Sequence, residues 1–291
     1  MRFALLVLLL LAVACGGSSV AISSPEATRS LAVSPTATPA PYITVPPTPT
    51  PVPTPEPTAV PIYHGPPYTI AIDPGHGGPG YWGASARDPD GNLWIEKDLT
   101  LAVSTRLQQL LSEAGYYTIL LRTEDVTHTD WNSSDYRASM IAETQERVHR
   151  ANAVGADVLL AVHFNGWRDA GQRGTEAYCN PDRGFGGESC ELAWFVQQAV
   201  VQSIRATGYD IFDRGIKNDA AVNGDPQNQH SFLLGTNSGF SPSMMPGAIL
   251  EVLFLSHPDD FAFIRREDAI EVVAKSIVEG LNQYFAWLTG Y

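Results

Sequence analysis

Basic residues are scarce in this chain. Its 291 residues carry 18 lysines and arginines against 31 aspartates and glutamates, a net charge of −13 at pH 7. No basic run occurs, and residues 1–63 sum to zero, so the whole excess of acid lies in the remainder. A body of that sign repels phosphate, which argues against nucleic acid and anionic lipid headgroups as partners. Long hydrophobic runs are missing too. The unbroken apolar run at residues 3–14 would rise about 18 Å as a helix, short of a roughly 30 Å hydrocarbon core. It reads as the core of a signal peptide behind Met1-Arg2, not as a membrane span. Cysteine is nearly absent: there are three, with no CxxC pair and no Cys/His cluster, which argues against a thiolate metal site.

What is present divides the chain. The apolar run ends at Leu11-Ala12-Val13-Ala14-Cys15, followed by Gly16-Gly17-Ser18-Ser19. This resembles a bacterial lipobox, whose cysteine becomes the lipidated first residue of the mature protein. Ala12 stands where leucine is most usual, and an ordinary cleaved signal with an incidental Cys15 is the alternative. Residues 1–15 are therefore an expected export signal, with a membrane anchor through Cys15. Of 22 prolines, 14 fall between Pro25 and Pro67. Proline fixes φ and removes a backbone donor, so residues 16–67 are expected to form neither helix nor sheet. About fifty residues of polyproline II reach on the order of 150 Å. The stretch is either a spacer holding the body off a membrane or a linker of arbitrary length. Residues 68–291 remain, enough for one sizeable core. In an oxidising compartment Cys179 and Cys190 form an even pair around a loop-like segment. A disulfide between them is expected, two free thiols being the alternative. The body is expected to be a monomer.

From residue 68 onward, strand and helix patterns alternate. Apolar runs at 68–72, 116–121, 158–164, 174–180 and 247–254 read as strands. Helical spacing appears over 97–114, where Leu99, Val103, Leu107 and Leu111 share a face, and over 137–153, 188–207 and 259–288. Residues 209–245 read as irregular. This alternation implies one α/β domain, a mostly parallel or mixed sheet with helices on both faces.

In such sheets ligands bind beyond the carboxyl ends of strands. Three ends carry polar residues where an apolar or turn residue would serve. The first runs into Asp73-Pro74-Gly75-His76-Gly77-Gly78, the third carries His163 and Asn165, and the last carries Glu251 inside an apolar run. Glu96 opens the first long helix, where a carboxylate would also suit the helix dipole. A carboxylate in a buried run is rarer, because burying it unpaired is expensive. Two histidines and a glutamate match the ligand set of an open catalytic zinc site, and a further glutamate would be its general base.

In order along the chain come Ile72-Asp73-Pro74-Gly75-His76-Gly77-Gly78, Glu96-Lys97-Asp98-Leu99, Arg147 with Ala151-Asn152, Val162-His163-Phe164-Asn165 and Leu250-Glu251-Val252-Leu253-Phe254-Leu255-Ser256. This series resembles the zinc-dependent N-acetylmuramoyl-L-alanine amidases of the amidase-3 type, which cut the cell wall. The resemblance covers about residues 68–288. It implies one Zn2+ held by the positions of His76, Glu96 and His163, with Glu251 as the catalytic glutamate. It also implies peptidoglycan as substrate, cleaved at the amide joining N-acetylmuramic acid to L-alanine, on the outer side of the membrane. Asp73 would orient His76 or cap a turn. A non-cleaving wall binder and a zinc peptidase acting within the stem peptide stay open as alternatives. The chain departs from the family pattern at Phe164, at Leu253, which would narrow the cleft floor, and at His257. Segments 127–140 and 225–245 look like insertions, whose Trp131, Tyr136, Phe232 and Phe240 would either line a groove or simply pack.

Overall fold

The computed structural model describes residues 65–222, 230–236 and 239–290. The signal segment 1–15, nearly all of the 16–67 stalk and the anchor cysteine Cys15 lie outside the described residues. So does part of the 225–245 insertion.

The chain opens with strand β1 (Thr69–Pro74) and a short antiparallel hairpin, β2 (Ser85–Arg87) and β3 (Leu93–Ile95). Helix α1 (Glu96–Glu113), strand β4 (Tyr117–Leu120), helix α2 (Tyr136–Ala153) and strand β5 (Val158–Asn165) follow. Then come β6 (Thr175–Cys179), α3 (Gly186–Ala206), β7 (Asp213–Asn218) and β8 (Gly247–Phe254). Helices α4 (Pro258–Ile264) and α5 (Ala269–Thr289) close the chain.

Six strands form one sheet in the order β4-β1-β5-β8-β6-β7. The first four run parallel, β6 is antiparallel to β8, and β7 is parallel to β6. The sheet is therefore mixed, with helices on both faces, as the alternation implied. One face packs on α1, α3 and α5. There Leu99, Val103, Leu107 and Leu111, spaced four apart on α1, meet Ile70, Ile72, Leu160 and Leu250. The other face carries Ala71, Leu159, Ala161 and Ile249 under Val148 and Ala151 of α2, with Leu233, Leu234 and Met245 of the late loop beside them. Strands covered on both sides need apolar residues on both faces, which is why β1, β5 and β8 read as near-continuous apolar runs.

Three elements differ from expectation. The β2–β3 hairpin is too short to show a period; the Asp88 carboxylate closes it by accepting from the Asn92 and Asp90 amides and from Trp94 Nε1. Strand β7 lies inside the 209–245 segment expected to be irregular; its sequence, DRGIKN, has one apolar residue. The helix expected over 259–288 is two helices. Asp260 in α4 is fully buried and accepts from the amides of Gly174 and Phe254. Those bonds tie α4 to the sheet, and α5 starts anew at Ala269. Cys179 at the end of β6 and Cys190 in α3 are joined by a disulfide.

Candidate active site

The site lies at the carboxyl ends of the parallel strands. β1 delivers the chain to His76, which has φ 61°, the left-handed region. A β-free glycine would enter that region at no cost, whereas a histidine there costs on the order of 1–2 kcal/mol. Two buried arginines offset the strain by holding the turn's carbonyls. Arg147 donates to the Pro74 and His76 carbonyls at 2.9 and 2.6 Å and to Asp73 Oδ1 at 2.8 Å. Arg122 donates to the Pro74 and Gly75 carbonyls at 2.9 and 3.0 Å. Asp73 therefore neither bonds His76 nor caps a turn. It is the counter-ion of Arg147, which grips the His76 backbone. Gly75 is required by close approach: a Cβ there would stand 2.3 Å from the His163 ring.

Glu96 is the first residue of α1, buried and fixed by two backbone amides. Its Oε2 accepts from Ala84 at 2.6 Å and its Oε1 from Phe164 at 3.0 Å. The same Oε1 faces His163 Nδ1 at 2.9 Å and His76 Nε2 at 3.1 Å. Ligand atoms of His76, Glu96 and His163 all lie within 4.8 Å of one another. His163 sits on β5 directly opposite Glu251 on β8. His76 Nδ1 and Glu251 Oε2 are buried and have no hydrogen-bond partner.

The electrostatics favour positive charge between these groups. Burial pulls the His163 imidazole down, but Glu96, aided by Glu251, outweighs it and pushes it up to about 9. Burial would raise the Glu96 carboxyl, yet His76 and His163 hold it far below the usual carboxylate range. Burial lowers His76. Two imidazoles, one of them with a buried ring nitrogen left unpaired, and one carboxylate are donors that fit zinc. Burial pushes Glu251 up to about 8, against the pull of His163 and with the help of Glu96 and Glu176. A carboxyl in that range can both take and return a proton near neutral pH.

A cavity of about 850 Å³ opens over this group, lined by His76, Glu96, Asn165, Trp167, Arg168 and Glu251. Leu253 does not floor it. Register between β5 and β8 slips by one residue after the His163–Glu251 pair. Such a bulge re-aims the side chains that follow, and Leu253 is fully buried in the α1–α3–α5 core. The four insertion aromatics divide. Trp131 stacks on Tyr81 at 5.1 Å and Tyr136 meets both edge-on, while Tyr81 packs against the His76 ring at 4.5 Å. Phe232 instead is buried against Phe240. Sequence reading passed over Tyr81 and Arg122 and left Arg147 without a role. Arg122 had a signal: a charge directly after the apolar run that contains β4.

An α/β domain with a dense cluster of metal-ligating side chains and a buried carboxyl at its strand ends has the build of a hydrolytic enzyme. The family model described as N-acetylmuramoyl-L-alanine amidase matches residues 70–283, and this chain belongs to that family of hydrolases. It is 26% identical over 216 residues to the germination-specific N-acetylmuramoyl-L-alanine amidase of Bacillus subtilis strain 168, covering 74% of this chain and 79% of that one. A solved N-acetylmuramoyl-L-alanine amidase from Clostridium difficile 630 is 28% identical with a TM-score of 0.56, over 75% of this chain and 96% of its own. The fold is also that of a Clostridioides difficile amidase solved in complex with a lipoprotein, with a TM-score of 0.58 at 21% identity over 75% of this chain and 98% of that one.

Proposed function

We propose that this protein is an exported, zinc-dependent amidase that hydrolyses the bond between N-acetylmuramic acid and L-alanine in peptidoglycan. The observation that carries the reading is the convergence of His76, Glu96 and His163 within 4.8 Å, in a cavity shared with the unpartnered carboxyl of Glu251. His76, Glu96 and His163 would hold the zinc. When bound, zinc supplies a positive charge that polarises a carbonyl and makes water more acidic.

The chain's own groups do the rest. Glu251 Oε2 takes the proton of the attacking water as its oxygen bonds to the lactyl carbonyl carbon. The same oxygen returns that proton to the alanine nitrogen as the C–N bond breaks. Glu96, fixed by the Ala84 and Phe164 amides, keeps both imidazoles in register. Arg147 and Arg122 hold His76 in its left-handed turn without touching substrate. For localisation, the reading combines the 1–15 signal, a lipid on Cys15 and the 16–67 stalk as a tether. Among the described residues no helix is long and apolar enough to cross a membrane.

Digestion of purified muropeptides, followed by identification of the new termini, tests the reaction. Release of peptides with a free N-terminal L-alanine, lost with the zinc in His163→Ala, is the expected result. Cleavage inside the stem peptide, or none, overturns it. Cys15→Ser should shift the protein from the membrane to the soluble fraction, and sedimentation with membranes would refute the anchor.

A further inference from the structure

A second charged cluster stands on the other side of Glu251. Glu176 on β6 is the direct cross-strand partner of Glu251 on β8. Its Oε1 accepts from Asn165 Nδ2 at 2.8 Å and from the Tyr178 hydroxyl at 2.6 Å. Its Oε2 takes both Arg214 Nε and Lys217 Nζ. Residues three apart face opposite sides of a regular strand. Here β7 is bulged: Thr175 pairs with Asp213 while Ala177 pairs with Ile216. Gly215 takes the extra step at φ 73°, and the bulge turns both cations towards one carboxylate. Burial favours the neutral form of Glu176, but Lys217, Tyr178 and Arg214 hold its carboxyl below the usual range. The cluster thus carries two positive charges and one negative, in a chain whose net charge is −13. A single cation would be enough to pin β7 to Glu176. The second brings a charge in excess of Glu176, felt through space by the neighbouring Glu251 carboxyl.

That charge faces a cavity of about 390 Å³ lined by Asn165, Trp167, Tyr178, Arg214, Lys217 and Glu251. Asn165, Trp167 and Glu251 also line the larger cavity over His76 and Glu96, so the two cavities share a wall at the proposed scissile bond. The side chains of Lys217 and Arg214 keep 32% and 21% of their surface exposed. An ammonium has three donors, and Glu176 occupies one of those of Lys217.

We propose that Lys217 and Arg214 form a subsite for a carboxylate of the stem peptide. The inference rests on the amidase reading given above. Within that reading, the muramic carboxyl is consumed in the scissile amide and the N-acetyl sugar is neutral. An anion beside the reacting atoms must therefore come from the peptide side. The two residues set specificity through binding and take no part in proton transfer.

The test compares a soluble muropeptide whose stem carboxylates are free with the same muropeptide carrying them as amides. Charge-assisted hydrogen bonds predict a preference of roughly 10-fold or more in kcat/KM for the free form, expressed in KM. In Lys217→Met the two substrates should converge, and Lys217→Arg should restore the preference. A wild type that treats both substrates alike, or a Lys217→Met loss equal on both, overturns the subsite. Calorimetry with the sugar-free stem peptide and its amide separates the two readings. If neither muropeptide is cleaved but the peptide still binds more tightly than its amide, and Lys217→Met abolishes the difference, the subsite stands and the reaction fails. Cleavage of both without any preference leaves the reaction and removes the subsite.

Discussion

The two halves of the sheet are built by different means. In the parallel half, β4-β1-β5-β8, the long strands are apolar and covered on both faces; His76 and His163 stand towards their carboxyl ends, Glu251 lies within β8, and Glu96 opens α1. The edge half, β6-β7, is held by charge and a covalent bond. Glu176 gathers four donors there, and Cys179 is tied to Cys190. Close-packed apolar strands hold side chains at their ends rigidly, which suits proton transfer at fixed distances. An ion cluster open to a cavity has donors to spare, which suits recognition of a charged group. On the reading proposed above, the difference would separate chemistry from selection across one residue, Glu251, which borders both cavities.

The comparison breaks most visibly at Glu251 itself. Glu251→Gln keeps the shape but cannot accept a proton, and the loss of a general base commonly costs 10²–10⁴-fold in rate, so roughly that loss in muropeptide hydrolysis is expected. Elemental analysis should find the metal content of the variant unchanged. Retained wild-type turnover would assign the base elsewhere.

The parallel half should be most sensitive to its buried ion pairs. Arg147→Met strands the buried Asp73, takes one donor from Glu143, which keeps His128 and Thr129, and removes the grip on the His76 carbonyl. Breaking a buried pair from one side costs about 3–5 kcal/mol, to be read as a lower urea midpoint. A change below about 1 kcal/mol would mean that the turn holds itself.

The edge half should lose less when its staple is cut. A Cys179→Ala, Cys190→Ala double variant removes an 11-residue separation closed by the disulfide, for which chain entropy predicts a loss of roughly 2–3 kcal/mol. Amide exchange should rise first in β6 and β7. Uniform acceleration across all strands would show that the two halves unfold as one.

The smallest effect is expected in acid. Burial would raise Glu143, but Arg147 and His128 hold its carboxyl below the usual range. A depressed folded value means that its stabilisation is fully present above the unfolded carboxyl value of about 4.3 and is lost as pH falls through the folded one. Stability should therefore fall below about pH 4.3, and less steeply in Glu143→Gln. Identical slopes in urea titrations would place the acid sensitivity at other carboxylates.

The parallel half was legible from residue types. A histidine at or just past the end of an apolar run, or a glutamate inside one, is conspicuous, so His76, His163 and Glu251 stood out, and Glu96 followed from its place at a helix start. Strand β7 offered no such contrast. A strand with one apolar residue has no hydrophobic period, and its two cations look like solvated surface. Leu253 was misjudged because a bulge changes which face a residue takes, and bulges leave no period of their own. Asp73 was misjudged because its partner, Arg147, lies 74 positions away.

By itself the sequence determined the order of the elements, the apolar runs that had to be covered on both faces, and the kinds of donor available at each strand end. Those follow from local periodicity and from the cost of burying polar groups, which single segments express. Only the tertiary structure decided which donors meet, that Arg122 and Arg147 hold the left-handed turn at His76, and that Glu176 aims two cations at the far side of Glu251. Those depend on strand register and on bulges. Register is the sum of packing across the whole sheet, and a slip of one residue sends a side chain to the opposite face.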